Sequence, residues 1–411
     1  MRRLCLTVSY CSILLITMIL ISCTRSTSET TADLPAGLDE IENLAVFPAG
    51  IEPKADIRFD RERSFGDTQE ITFGGLGGFD VDSSGRVYIS DYQQKMLHIF
   101  DSEGDYLSSL GRSGNGPGEY MSFPYPTVYS SQLLVLDPMR LRMNRYSIKD
   151  LEFVDAVNLN PTNKGSFEGV FDTHVNQVQI VDQQTFLVTM STFIPRLPDD
   201  AGELKDDKLI HHFIMGDDAR LIKPIMEPVP LYEITGKAPE EFQFQGPYSR
   251  TSPRPQIFTK PIVTVSEKGD IFSALSDKLL IKKYNAEGEY LSAVYHPFNH
   301  FQMTKDDAIK SQGTPFLADL VSQNKVPDTW PAMDNMIIDD DGRLWIATIV
   351  EDLDVFEWWL LEETGELLSK FKWPRDEPIV TVKNGKVYTR QTDVETGLER
   401  VVRYGIEMAE I

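Results

Sequence analysis

The sequence predicts an all-β protein: a six-bladed β-propeller with four-stranded antiparallel blades and a short helical insertion between blades 4 and 5. Three observations predict it. A pattern of strand, turn and strand recurs along the chain, its turns carry glycine, and the recurrences are spaced like the blades of a propeller. A four-stranded blade takes about 40–50 residues, and six such blades close into a ring.

The repeat is clearest when residues 81–111 are compared with residues 265–294. In both segments a turn glycine precedes a strand in which apolar and polar residues alternate. A second turn glycine follows 19 positions after the first, as in Gly85 and Gly104. Alternation with period two between turn residues is typical of antiparallel strands joined by tight hairpins. Glycine suits these turns because it adopts positive φ without strain.

The pattern recurs in six places, each with a turn residue between its first two strands. These anchors are Gly85, Ser131, Thr185, Gly269, Gly342 and Gly385. Their spacings are 46, 54, 84, 73 and 43 residues, so three spacings have the length of a blade or close to it and two are longer. A pair of β-sandwiches with coincidental turns is the alternative interpretation.

The two long spacings contain insertions near residues 230–258 and 304–326. The first is rich in proline and polar residues, and the second has the pattern of one or two short helices. A propeller closes when its first and last segments pair, which removes exposed strand edges. We expect a strand near residues 55–66 to complete the last blade in this way.

The N-terminal segment has the layout of a secretory signal over residues 1–22, with two arginines followed by an apolar run. The run ends in Leu-Ile-Ser before Cys23, which resembles the bacterial lipobox. That resemblance implies lipidation of Cys23 after cleavage. An uncleaved membrane anchor is the alternative interpretation.

A polar stretch rich in Ser and Thr follows over residues 23–37, and we interpret it as a flexible tether. The propeller is expected to occupy residues 38–411. Thr24 is not the aspartate that retains many lipoproteins at the inner membrane, so the lipoprotein resemblance implies an outer-membrane lipoprotein. Whether it faces the periplasm or the outside is left open.

Charge and cysteine content exclude several classes of partner and chemistry. The net charge of -23 argues against nucleic acid and against adsorption to anionic lipid, because both need a basic surface. We therefore expect membrane contact through the lipid alone. The only cysteines are Cys5, Cys11 and Cys23, so the mature chain would have no free thiol for catalysis or metal binding. We expect a monomer.

The glycine-rich stretch at residues 111–120, GRSGNGPGEY, is similar to a phosphate-binding loop only in composition. Such a loop must open a helix, because the helix N-terminus supplies the N–H groups. Pro124 and Pro126 forbid a helix there. The stretch is therefore predicted to connect the outer strand of one blade to the inner strand of the next.

At this point the chain resembles the NHL repeat family, whose blade connections carry the signature Gly-x-Gly-Pro-Gly-Glu-Phe/Tyr, matched here at residues 114–120. The resemblance is clearest over residues 77–129, and only one of six connections keeps the signature. With the lipobox, the chain resembles the six-bladed propeller lipoproteins of Bacteroidota. This resemblance implies a fold and a location but no particular activity.

The sequence favours a binding or scaffold module of the cell envelope, with no catalytic motif, no metal site and no cofactor. Propellers bind ligands through loops that lead into the inner strands, and such sites place polar groups on an apolar wall. An envelope protein, a peptide or a sugar is the expected ligand. The candidate residues at the axial mouth are Tyr125, His174, Arg254, Trp330, Asp334 and Asn335.

The alternative is a metal-assisted hydrolase or lyase. The resemblance to gluconolactonase-type propellers implies a divalent metal held by Glu, Asn and Asp, and Asp334-Asn335 is the only pair that matches in part. Peptidyl-hydroxyglycine-lyase-type propellers use histidine-bound zinc, and the six histidines show no such spacing. Residues 339–342 fail as a calcium loop, because position twelve is Thr348 rather than glutamate.

Overall fold

The structure is a computed structural model that describes residues 35–66, 71–170, 173–192, 209–230, 257–323 and 325–411. The chain divides into two units, residues 1–39 and 40–411. In the described part of the first unit, the N–H of Leu38 donates to the carbonyl of Pro35. Within the described ranges, no helix is long and apolar enough to cross a membrane.

The unit from residue 40 to 411 begins with two strands that precede the first blade, β1 (Leu44–Val46) and β2 (Ala55–Phe65). The strands of blade 1 are β3 (Leu76–Val81), β4 (Val87–Asp91), β5 (Met96–Phe100) and β6 (Tyr106–Leu110). The connection to blade 2 holds a short parallel pair, β7 (Arg112–Ser113) and β8 (Glu119–Tyr120).

The next two blades follow in the same order. The strands of blade 2 are β9 (Tyr125–Tyr129), β10 (Gln132–Asp137), β11 (Arg142–Ser147) and β12 (Phe153–Asn158), and a 3-10 turn follows at Lys164–Ser166. The strands of blade 3 are β13 (Thr173–Ile180), β14 (Thr185–Thr192), β15 (Leu209–Gly216), β16 (Leu221–Pro224) and β17 (Val229–Pro230).

The last three blades contain the helical insertion. The strands of blade 4 are β18 (Pro261–Val265), β19 (Ile271–Leu275), β20 (Leu279–Tyr284) and β21 (Tyr290–His296), followed by helices α1 (Lys305–Lys310) and α2 (Pro315–Ser322). The strands of blade 5 are β22 (Met333–Ile338), β23 (Leu344–Ile349), β24 (Val355–Leu361) and β25 (Leu367–Pro374). The strands of blade 6 are β26 (Ile379–Lys383), β27 (Lys386–Thr392) and β28 (Glu399–Glu410).

Each sheet keeps its own strands in chain order, and the first strands contact one another between blades 1 and 2, 3 and 4, 4 and 5, and 5 and 6. The predicted fold class, an all-β six-bladed propeller with a helical insertion between blades 4 and 5, is confirmed. Five of the six anchors lie in the turn between the first and second strands of their blades. Thr185 differs, since it is the first residue of β14 and the turn precedes it.

The core lies between the blades rather than within them. Six clusters of buried apolar side chains fill the six spaces between adjacent blades. In β4, Val87 and Ile89 face the cluster shared with blade 6, whereas Tyr88 faces the cluster shared with blade 2. Because successive side chains of a strand point to opposite faces, both faces of each sheet are buried, which a ring of blades requires.

The N-terminal strands run along the outside of three consecutive blades. β1 adds to the outer edge of blade 4 as a parallel partner of β21. The N–H of Lys54 then donates to the carbonyl of Leu368 in β25, at 2.9 Å. Finally β2 pairs antiparallel with β28 and becomes the outer strand of blade 6. We call residues 44–65 the N-terminal strap.

The glycine-rich connection at residues 111–120 is a folded turn between blades 1 and 2. The carboxylate of Glu119 accepts hydrogen bonds from the N–H groups of Asn115 and Gly116, at 2.8 and 2.7 Å. Gly111 has a φ of +87°, and a Cβ there would lie 2.4 Å from a ring carbon of Tyr120. The glycine at position 111 is therefore explained by its backbone conformation and by its contact with Tyr120, without a phosphate ligand.

A buried aspartate organises the first turn of blade 1. The carboxylate of Asp82 accepts hydrogen bonds from the N–H and hydroxyl of Ser84 and from the N–H and Nε of Arg86. It also accepts a hydrogen bond from the hydroxyl of buried Tyr88, at 2.9 Å. One side chain thus fixes the turn and joins it to the second strand.

The same arrangement recurs in the first turn of blade 5. The carboxylate of Asp339 accepts bonds from the N–H and Nε of Arg343, at 2.8 and 3.0 Å, and from the indole Nε1 of Trp345, at 2.9 Å. In blade 4 a serine takes this place, where the hydroxyl of Ser266 accepts one bond from the N–H of Asp270. Among the first turns described here, a buried aspartate that bonds to both an arginine and an aromatic residue is therefore found in blades 1 and 5.

Candidate binding site at the axial mouth

We call the end of the channel where the inner strands begin the axial mouth. The turns between first and second strands lie at the other end. Four inner strands carry a β-bulge close to the mouth, and a bulge redirects the side chain of the extra residue. The extra residues are Gly77 and Gly78, Asn176, Asp334 and Val380.

Three aromatic rings form one side of the mouth. The ring centroids of Tyr92 and Phe123 are 4.7 Å apart, and those of Phe123 and Tyr125 are 5.0 Å apart. Tyr92 and Tyr125 remain 56% and 39% exposed, so the group offers apolar surface to solvent. Gly78 leaves room for the ring of Tyr125, since a Cβ there would lie 3.2 Å from it. We call these three residues the aromatic trio.

Burial raises the pKa of Tyr125 above its ordinary value, although nearby Arg390 opposes the shift. The phenol is therefore neutral at pH 7 and can donate or accept a hydrogen bond. Arg390 itself is held by Glu399 in a bidentate pair, with nitrogen–oxygen distances of 2.7–2.9 Å. Such paired geometry fixes a guanidinium in place.

A second charged pair lies where blades 4 and 5 meet. The ammonium of Lys260 contacts the carboxylate of Asp334 at 2.8 Å, and Lys260 remains partly exposed. Arg375 lies over the ring of Phe356, with its guanidinium carbon 4.3 Å from the ring centroid. Burial lowers the pKa of Arg375, and the carboxylate of Asp334 opposes the shift.

Blade 3 contributes a polar group built around a serine. The hydroxyl of buried Ser191 lies 3.3 Å from Nε2 of His174 and 3.3 Å from Oδ1 of Asn176. Asn176 is the extra residue of the bulge in β13. This polar group therefore lies on the inner strand of blade 3, close to where that strand begins.

Only some of the site residues predicted from the sequence lie at the axial mouth. Tyr125, His174 and Asp334 lie at or next to the starts of inner strands. Trp330 does not offer a binding surface: it is 4% exposed and packs in the apolar cluster that includes residues of α1 and α2. Cys23 and Arg254 lie outside the described residues. Sequence reasoning missed Tyr92, whose only signal is its position directly after β4.

Asp334 and Asn335 each have a polar partner within the protein. The carboxylate of Asp334 is paired with Lys260, and Oδ1 of Asn335 accepts a bond from the N–H of Met336 at 2.9 Å. Among the residues that the structure describes, no three His, Cys, Asp or Glu side chains converge so as to hold a metal ion.

The opposite end of the channel carries a partly buried charged cluster. The ammonium of Lys383, in blade 6, pairs with the carboxylate of Glu267 from a turn of blade 4. Burial raises the pKa of Asp80, in blade 1, whereas Lys383 opposes that shift. Burial disfavours the charged form of Lys383, but Asp80 and Glu267 raise its pKa above the ordinary value. Charges from three blades thus meet near the axis.

Comparison with known proteins agrees with this architecture. A family model, DUF5128, described as a 6-bladed beta-propeller, matches residues 73–177, from blade 1 to the inner strand of blade 3. No curated protein matches the chain.

Several solved structures are similar over most of their length. One is an exported-protein candidate from Bacteroides fragilis, with 10% identity, 89% of this chain and 100% of that chain covered, and a TM-score of 0.50. A second is a member of the duf4221 family from Bacteroides vulgatus, with 10% identity, 86% and 99% coverage, and a TM-score of 0.48. A third, virginiamycin B lyase from Staphylococcus aureus, has 12% identity, 87% and 89% coverage, and a TM-score of 0.37. At 10% identity, the likeness to the Bacteroides fragilis structure shows the fold alone.

Proposed function

We propose that the protein is a binding propeller of the cell envelope that holds its ligand at the axial mouth. The observation that carries the proposal is the aromatic trio, exposed to solvent at the mouth, where Arg390 and Lys260 are also held in ion pairs. A ligand with a flat apolar face and several hydrogen-bonding groups would match this surface. A sugar residue or a peptide with an aromatic side chain has that chemistry.

The pairing of the charged groups supports binding rather than acid–base chemistry. Arg390 and Lys260 each have a carboxylate partner within 2.9 Å. Held side chains lose little freedom when a ligand arrives, so they favour affinity over proton transfer. A scaffold role for an envelope protein partner would use the same exposed rings.

The envelope location rests on sequence features outside the described residues. Residues 1–22 have the layout of a signal, Cys23 ends a lipobox-like stretch, and residues 23–37 have the composition of a tether. The similar Bacteroides fragilis structure is that of an exported-protein candidate. The NHL-like signature at residues 114–120 fits the blade connection that contains it. We propose a lipid-anchored outer-membrane protein.

The binding proposal is tested with a panel of soluble oligosaccharides and aromatic peptides, measured by calorimetry on the purified protein. Tyr125→Ala should weaken binding of any ligand found by at least about fivefold, as expected when a contact aromatic is truncated. Phe153→Ala is the matched control, because Phe153 is 41% exposed, similar to Tyr125, but lies on the outer strand of blade 2. Equal effects of the two variants would contradict the proposal.

The anchoring proposal is tested by fatty-acid labelling in a Gram-negative host. Cys23→Ser should abolish incorporation of label and move the protein from the membrane fraction to the supernatant. Cys11→Ser should leave both unchanged, because Cys11 lies within the segment that is removed. Label retained in Cys23→Ser would refute lipidation at this position.

A further inference from the structure

The outer edge of blade 3 is interrupted, and the interruption opens a cavity away from the axial mouth. β16 pairs with β15 at residues 213–215, and β17 pairs with it at residues 209–210. Between them, the N–H of Ile225 still donates to the carbonyl of His212, at 3.0 Å, and strand pairing is interrupted over residues 226–228, beside His211.

The cavity has a volume of about 330 Å³, which is within the range of small-molecule sites. Its apolar wall includes Phe167 and Val170 from the connection between blades 2 and 3, and Phe213 from β15. The rings of Phe167 and Phe213 meet edge-on, with centroids 4.8 Å apart. This wall suits the body of an aromatic ligand.

His211 supplies a buried polar atom to the same wall. Its side chain is 4% exposed, and among the described residues Nε2 has no hydrogen-bond partner. Burial lowers the pKa of His211, so the ring is neutral at pH 7. A buried polar atom without a partner is unfavourable, and a ligand hydroxyl in the cavity would supply the missing bond.

The rim of the cavity is acidic. Glu168 and Glu227 line it, both exposed, and no lysine or arginine is among the described residues that line it. The chain as a whole carries a net charge of -23. An ammonium group at the rim would therefore be favoured over a carboxylate.

We propose that this cavity binds a small organic cation with an aromatic body and a hydroxyl at the end remote from its amine. The ring would pack on Phe167 and Phe213, the hydroxyl would reach His211, and the ammonium would remain at the rim with Glu168 and Glu227. The site is independent of the axial mouth and of any ligand bound there.

The test is calorimetric titration of the full chain in detergent with tyramine and three relatives, each of which changes one feature. Phenethylamine lacks the hydroxyl, 4-(2-hydroxyethyl)phenol lacks the charge, and 3-(4-hydroxyphenyl)propionate reverses it. Tyramine should bind about twofold to tenfold tighter than either of the first two, which is the range for one hydrogen bond or for two exposed charges. The anion should bind weakest.

Matched variants assign the two polar contacts. His211→Phe should reduce tyramine affinity to that of phenethylamine, whereas the double change Glu168→Gln with Glu227→Gln should reduce it to that of the neutral phenol. Glu395→Gln, in an exposed turn of blade 6, should change nothing, and Tyr125→Ala should leave tyramine binding intact. Absence of millimolar binding, equal affinity across the four probes, or loss of binding in Tyr125→Ala would each overturn the proposal.

Discussion

Replacement of Asp82 by alanine tests whether one carboxylate holds the first turn of blade 1. Asp82 is 2% exposed and accepts five hydrogen bonds, two of them from Arg86 and one from the buried hydroxyl of Tyr88. Removal of one partner of a buried ion pair costs about 3–5 kcal/mol. We expect about 3 kcal/mol, the low end, because the Arg86 side chain is 23% exposed and water can reach it.

The expected change in melting temperature follows from the size of the unit. For residues 40–411 the entropy of unfolding is about 0.8 kcal/mol per kelvin, so Asp82→Ala should lower the Tm by about 4 °C. Ser266→Ala in blade 4 is the matched control. Its hydroxyl accepts one hydrogen bond, from the N–H of Asp270, so the loss should be about 1 kcal/mol and about 1 °C.

The pH dependence of the same comparison provides a second test. Burial would raise the pKa of Asp82, but its bonds to Ser84, Tyr88 and Arg86 prevail and lower it. A carboxyl with a lowered folded pKa stabilises the fold above its unfolded pKa, about 3.9, and this contribution is lost as the pH falls through the folded value. The Tm difference between wild type and Asp82→Ala should therefore be full at pH 7 and shrink below about pH 4. Calorimetric scans that show a Tm loss no larger than in Ser266→Ala, or a difference that grows in acid, would refute the reasoning.

Two further changes test local packing. Gly111→Ala should lower the free energy of unfolding by about 2–3 kcal/mol, because the new Cβ would meet the ring of Tyr120 and Gly111 has positive φ. Gly397 also has positive φ, but a Cβ there would meet nothing within 4 Å, so Gly397→Ala should cost only about 1 kcal/mol. Denaturant titrations measure both changes. Similar costs would show that contact with Tyr120 is unimportant. His211→Phe should raise stability by about 1 kcal/mol because it removes an unpartnered polar atom. His212→Phe should be the less favourable change, because it removes an unpartnered Nε2 but also the 3.0 Å bond between Nδ1 and a threonine hydroxyl, and the reverse order in thermal scans would contradict this account.

The sequence was sufficient to predict the fold class because the evidence for it is local. Turn glycines such as Gly85 and Gly269 adopt positive φ, and the strands after them alternate over short distances. The buried aspartate of blades 1 and 5 also has a sequence pattern, Asp-x-x-Gly-Arg-x-aromatic, at residues 82–88 and 339–345. Its meaning depends on burial, which sequence spacing does not reveal.

Features that depend on contacts between distant parts of the chain could not be predicted from local sequence patterns. β1 has three residues, and its partner in blade 4 lies about 250 positions further along the chain. Trp330 was expected at the mouth, but the apolar residues of the helical insertion bury it. The bulges that redirect Asn176 and Asp334 leave no local signal, because a bulge depends on register with the neighbouring strand.

The N-terminal strap links the beginning of the chain to its end, and this determines when folding can finish. β2 is synthesised before any blade, yet its partner β28 is the final strand. Contacts this distant in sequence carry a large loop-closure cost and form slowly. Until residues 399–410 emerge, blades 1 to 5 can form only an open arc with unpaired edges, which is a state prone to aggregation. The final strand to be made thus converts the arc into a ring.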